Sequence, residues 1–150
     1  MTHLKEGMKA PPFSGKDKNG TTVSLENFKG KKIVLYFYPK DNTAGCTAEA
    51  CSLNSYYGDF VKKDYAVVGV SPDSEASHQR FAAKYELKFN LLSDVNHEIA
   101  IAYGVWGEKK MYGKTYMGII RTTFIIDENG VIEKIIDKVD TQNHAAQILN

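Results

Sequence analysis

One stretch limits the possible folds more than any other. Residues 33–38, Ile33-Val34-Leu35-Tyr36-Phe37-Tyr38, form a short unbroken apolar run rich in β-branched and aromatic side chains. If extended, such a run has no polar face to offer water. It belongs inside a sheet that is covered on both sides. Residues 66–70 and 123–126 repeat the pattern. Residues 131–136 pair naturally with 123–126 across the turn signal Asn129-Gly130, and Asn19-Gly20 is a second such signal between strand-like runs. Between the first two strands, residues 43–63 are long enough for a helix. Residues 74–85 read as another, with Ser74 as its cap and Phe81, Ala82 and Tyr85 on one face. Residues 97–103 and 143–149 are shorter helical candidates. The order strand, helix, strand, helix, antiparallel strand pair and closing helix predicts an α/β chain: a central mixed β-sheet flanked by helices, in the thioredoxin-like arrangement.

The 150 residues suffice for one domain with its own core, and no repeat or linker divides positions 1–150. With 43% hydrophobic and 25% charged residues, the composition excludes a disordered chain. The net charge of +1, with acidic and basic residues interleaved as in Lys16-Asp17-Lys18, supplies no field for nucleic acid or anionic lipid. No apolar stretch approaches a membrane span, and the polar start, Met1 to Gly7, does not read as a signal peptide. The expectation is a cytoplasmic protein. In a reducing compartment its two cysteines are more readily catalytic or metal-binding than a structural staple. His3, His78, His97 and His144 are scattered with no metal-ligand spacing, so no metal is expected.

The chemistry concentrates after the first strand. In Pro39-Lys40-Asp41-Asn42-Thr43-Ala44-Gly45-Cys46, a buried strand ends, a polar loop follows and a helix begins near Cys46. Sites in α/β sheets form beyond the C-terminal ends of strands. Cys46 in a first helical turn lies under free backbone N–H groups and the positive end of the helix dipole. A thiolate is the reactive form of cysteine, and an ordinary thiol of pKa about 8.5 is only a few per cent ionised at neutral pH. A helix terminus alone supplies roughly 0.3 to 2 kcal/mol, so a reactive cysteine here needs a further cation. Arg121, just before the strand at 123–126, is the candidate, because that strand would start beside the end of the first. Thr43 can donate to a thiolate or hold an incoming oxygen, and is equally explained as a cap or turn residue. Pro39 can wall the site from water or simply end the strand.

Cys51 stands five residues beyond Cys46. On a continuous helix that step turns about 500° and leaves the Cα atoms about 8.6 Å apart. A disulfide needs them within about 7 Å. If Cys51 resolves an oxidised Cys46, the first turns of the helix must unwind. Otherwise Cys51 is a small buried hydrophobe.

The spacing P-x-x-x-T-x-x-C of Pro39, Thr43 and Cys46 resembles the peroxiredoxin active-site motif. Cys51 five residues on is similar to the mark of the bacterioferritin comigratory protein or peroxiredoxin Q subfamily. The likeness continues through Val67 to Asp73, Leu91-Leu92-Ser93-Asp94, Ala102 to Gly107, Arg121 to Asp127 and Val139-Asp140, and covers most of the chain. One departure is Ala44, where the family commonly has proline. The resemblance implies a thioredoxin-like fold and a thiol-dependent peroxidase for hydrogen peroxide and organic hydroperoxides. Cys46 would form the sulfenic acid and Cys51 would close an intramolecular disulfide. Thr43 and Arg121 would hold the peroxide, Pro39 would shield the pocket and Glu49 would orient Arg121. Thioredoxin or a similar dithiol would be the reductant, the state monomeric, and no cofactor would be needed. Three rivals fit less of the sequence. A disulfide reductase wants C-x-x-C, which is absent. A cysteine hydrolase wants a histidine base near the strand ends. A non-catalytic thioredoxin-fold binding module would react only slowly with peroxide.

Overall fold

The computed structural model describes residues 2–150. Its main sheet has seven strands in the spatial order β2 (Thr22–Ser24), β1 (Ser14–Lys16), β5 (Asn90–Ser93), β4 (Tyr65–Ser71), β3 (Lys32–Phe37), β8 (Thr122–Ile126) and β9 (Ile132–Ile136). β3, β4 and β5 run parallel, whereas β8 lies antiparallel to β3 and β9 to β8. The sheet is therefore mixed, as its sequence order implies. Parallel neighbours need crossovers, and helices supply them. α1 (Ala44–Ser55) and α2 (Tyr57–Lys62) connect β3 to β4, and α3 (Glu75–Tyr85) connects β4 to β5. α4 (Glu98–Ala102) follows β5, and α5 (His144–Leu149) follows β9. A separate antiparallel ribbon joins β6 (Trp106–Met111) to β7 (Lys114–Ile119).

β3 is buried on both faces. Ile33, Leu35 and Phe37 enter a core with Phe13, Ile99, Tyr103 and Phe124. Val34, Tyr36 and the following Tyr38 enter a second core with Ala50, Leu53, Phe60, Phe81 and Ile148, contributed by α1, α2, α3 and α5. Each such side chain contributes about 1.5–3 kcal/mol of burial, which fixes β3 as the axis of the molecule. Gly69 on β4 makes the neighbouring strand possible: a Cβ there would stand 2.9 Å from the Tyr36 ring and 2.8 Å from Leu91.

Local signals hold. Ser74 Oγ accepts from the Ser77 N–H at 3.1 Å and caps α3. Both Asn-Gly turns place glycine at positive φ, +76° at Gly20 and +77° at Gly130. In each, an aspartate two residues before the turn asparagine, Asp17 or Asp127, accepts from two turn amides. The single helix expected over 43–63 is two. The chain breaks at Tyr56, whose N–H turns back to Leu53 and Asn54, and the redirected α2 buries Phe60 edge-on against Tyr65.

Candidate active site

The pairing of β8 with β3 assembles the site. Phe37 lies opposite Thr122, so Arg121 stands where the chain leaves β3 at Tyr38 and Pro39. α1 starts a few residues later. Its first intrahelical bond runs from the Thr47 N–H to the Thr43 carbonyl at 2.8 Å. The amides of Ala44, Gly45 and Cys46 therefore have no intrahelical acceptor. Cys46 sits in this first turn, 1% exposed. Glu49 follows at i+3, on the same face of the helix. One guanidinium spans both: Arg121 Nη2 donates to Cys46 Sγ at 3.2 Å, and Nη1 donates to Glu49 Oε1 at 2.5 Å. Gly45 leaves room for it, since a Cβ there would meet Nη2 at 3.4 Å.

Glu49 is fully buried, and that burial pushes its carboxyl up to about 7 against the opposing pull of Arg121. For Arg121, burial works against the charged form, but Glu49 and the Cys46 sulfur outweigh it and hold the proton more tightly than usual. Lys109, on β6, is pushed down by burial and by the charge of Arg121. The sulfur thus faces positive charge, with a carboxyl group behind it.

Thr43 is exposed at the N-cap position and makes no side-chain cap bond. Its hydroxyl donates to the Lys40 carbonyl at 2.9 Å, the turn role allowed by its sequence position. The single hydroxyl hydrogen is engaged there, so the oxygen is left to accept from an incoming O–H. Pro39 is half-buried just beyond β3.

The loop between Pro39 and Thr43 is tied down by residues to which sequence spacing gave no role. Asp41 accepts from Tyr38 Oη at 2.6 Å and from Ser77 Oγ at 2.8 Å, and its Oδ2 meets His78 Nδ1 at 2.7 Å. His78 Nε2 donates to the Leu92 carbonyl at 3.0 Å, and the Asp41 N–H donates to Asp73 Oδ2 at 2.8 Å. Burial would raise the Asp41 carboxyl, but its bonds to His78 and Tyr38 outweigh this and hold it below the ordinary range. Donor atoms of Asp41, Asp73 and His78 come within 4.8 Å of one another. They already satisfy each other, as a loop anchor.

Cys51 lies half-buried further along the same unbroken α1, and its thiol is pushed up by burial. Both cysteines are free. Cys51 lines a groove of about 370 Å³ between α1 and the start of α5, with Ser52, Tyr56 and Asn143 among its walls. Tyr116 and Met117 project from the exposed ribbon, and Trp106 stacks on His97 at 3.7 Å between ring centroids. A buried sulfur at a helix N-terminus, bonded to a fixed guanidinium, is equipped for nucleophilic attack on a substrate whose leaving group carries away negative charge.

The chain is similar to known proteins over most of its length. The model of the AhpC/TSA family matches residues 7–135. The Bacillus subtilis protein named peroxiredoxin Bcp is 48% identical over 146 residues, covering 97% of this chain and 93% of the relative. Peroxiredoxin Bcp of Escherichia coli is 45% identical over 150 residues, covering 100% and 96%. Among solved structures, a cysteine-to-serine mutant of PrxQ from Xylella fastidiosa superposes with a TM-score of 0.93 at 34% identity, over 99% of this chain and 94% of that one. The Xanthomonas campestris bacterioferritin comigratory protein, described for its alkyl peroxide reduction activity, superposes with a TM-score of 0.89 at 35% identity, over 97% and 95%.

Proposed function

Because the chain belongs to the AhpC/TSA family, as a peroxiredoxin of the Bcp and PrxQ kind, we propose that its thiol-dependent peroxidase activity runs through Cys46 and Cys51. The bond from Arg121 Nη2 to Cys46 Sγ carries this assignment. The Cys46 thiolate attacks the terminal oxygen of the peroxide, an S–O bond forms and the O–O bond breaks. The departing oxygen takes up a proton and leaves as water or alcohol. Arg121 stabilises the charge on sulfur and on the departing oxygen. The free amides of the first turn of α1 and the Thr43 oxygen hold the peroxide. Pro39 limits access of water, and Glu49 fixes the guanidinium. The Cys51 sulfur then attacks the sulfenic sulfur, water leaves, and a disulfide closes within α1.

A dithiol such as thioredoxin returns both cysteines to thiols, with the groove beside Cys51 as its point of access. We read residues 1–150 as one monomeric domain working in the cytoplasm, with no cofactor. The two cores packed on opposite faces of the main sheet support the one-domain part of that reading.

The test is intact mass after one equivalent of hydrogen peroxide and a thiol alkylator. Wild type should lose two hydrogens and resist alkylation at both cysteines. Cys51→Ser should trap the sulfenic acid or over-oxidise, and Cys46→Ser should consume no peroxide. A Cys46→Ser variant that still turns over peroxide would overturn the assignment.

A further inference from the structure

Behind Arg121, Glu49 belongs to a polar cluster whose other members the reaction above does not use. His144 opens α5 and is fully buried, as are Thr123 of β8 and Glu49 of α1. The orientation of its ring is fixed from one side. Gln147 Oε1 accepts from the Asp140 N–H at 2.9 Å, and its Nε2 donates to the Lys138 carbonyl at 3.0 Å. Those two bonds leave the amide no freedom to flip. Oε1 is therefore the atom that meets His144 Nδ1, at 2.8 Å. An oxygen there demands a donor, so Nδ1 carries a hydrogen. In the neutral ring Nε2 then presents a lone pair, with the Thr123 hydroxyl 2.7 Å away. Glu49 Oε2 lies 3.5 Å from the same Nε2 and has no hydrogen-bond partner among the described residues. The Thr123 hydroxyl can donate to that lone pair, so the buried Glu49 Oε2 is left without a donor, which is costly in a dry site unless the carboxyl or the adjacent imidazole carries a proton.

We propose that Glu49 and His144 hold one proton between them, and that this makes His144 a positioning residue for Cys46, acting through Glu49 and Arg121. The proposal rests on Cys46 being the peroxide-attacking thiolate. Its charge logic does not depend on where the proton sits. With the proton on Glu49, or on His144 opposite a carboxylate, the group of Glu49, His144 and Arg121 carries a single positive charge. Without it, the group is neutral and Cys46 faces a guanidinium already compensated. Burial pushes Glu49 up to about 7 and His144 down, so both favour the uncharged pair with the proton on Glu49. The other groups facing the cluster are Cys46 on α1, Tyr36 on β3, Asp140 before α5 and Lys109 on β6.

Nuclear magnetic resonance of the reduced protein, labelled at the Glu49 carboxyl and the histidine nitrogens, tests the sharing across pH 5–9. The carboxyl carbon of Glu49 and Nε2 of His144 should move at one midpoint, and Glu49→Gln should remove the His144 step. Stopped-flow rates with hydrogen peroxide supply a second readout. The wild-type rate constant should fall about tenfold above that midpoint, as the net positive charge is lost. Glu49→Gln, neutral at every pH, should lack the fall, and His144→Gln should move it to lower pH. If His144→Gln does not fold, Gln147→Leu frees the ring and must shift the same step. An unaltered His144 titration in Glu49→Gln, or the same alkaline fall in every variant, overturns the proposal. Peroxide turnover by Cys46→Ser would overturn the underlying assignment as well, so the two failures are distinguishable.

Discussion

Arg121 does two things at once: it faces the sulfur with positive charge and it holds Glu49. Removing it in Arg121→Ala should lower the second-order rate with hydrogen peroxide by about 10²–10³-fold, the usual effect of deleting a charge-stabilising donor. Arg121→Lys should recover part of this, because an ammonium keeps the charge but lacks the planar fork that reaches sulfur and carboxyl together. An unchanged rate in both variants would remove Arg121 from the site. Cys46 and Arg121 were legible in the sequence because local rules place them: a strand end, a helix start and an antiparallel neighbour; Glu49 entered only through the family resemblance, and the folded helix then puts it on the face of Cys46. His78 and His144 were not. Their partners lie far along the chain, so only the folded topology brings them together. Thr43 was legible in position only, since the Lys40 carbonyl that takes its hydrogen carries no sequence signature.

At the scale of elements, α1 is a structural helix and, for the proposed disulfide between Cys46 and Cys51, also the part that must open. Ala50 and Leu53 bury it against the sheet, whereas its first turn is held by the bonds of Arg121 and by the anchored loop before it. Oxidation by one equivalent of peroxide should therefore strip hydrogen-exchange protection from amides 46–52 while leaving β3 and β4 protected. A disulfide formed with α1 still protected would contradict the helix geometry. The long apolar strands and the Asn-Gly hairpin were readable because their pattern is intrinsic. β1, β2 and β5 are three or four residues long and exist through pairing, as where Lys16 meets Ser93. The break at Tyr56 likewise answers to the packing of Phe60 rather than to any local breaker.

For the whole molecule, buried Glu49 makes stability depend on pH. Its carboxyl is at about 7 in the folded chain and about 4.3 when unfolded. The folded state binds this proton more tightly. Its stabilising effect is complete below the unfolded value and is lost as pH rises through the folded one. Glu49→Gln should then raise stability by roughly 1–3 kcal/mol at pH 8 and leave it little changed at pH 4, measured by urea unfolding. An equal gain at both pH values would show that the effect is not electrostatic. A last consequence concerns the closeness of the two cysteines on α1. A crosslink enclosing so few residues restrains the unfolded chain by only about 2 kcal/mol. Against that stand the helical bonds broken and the burial of Cys46 and Ala50 given up. With the proposed disulfide closed, the oxidised chain would be the loaded spring, and the refolding of α1 would add to the pull on incoming electrons. A modest dithiol would then suffice to discharge it, with helix formation driving the return to the armed state.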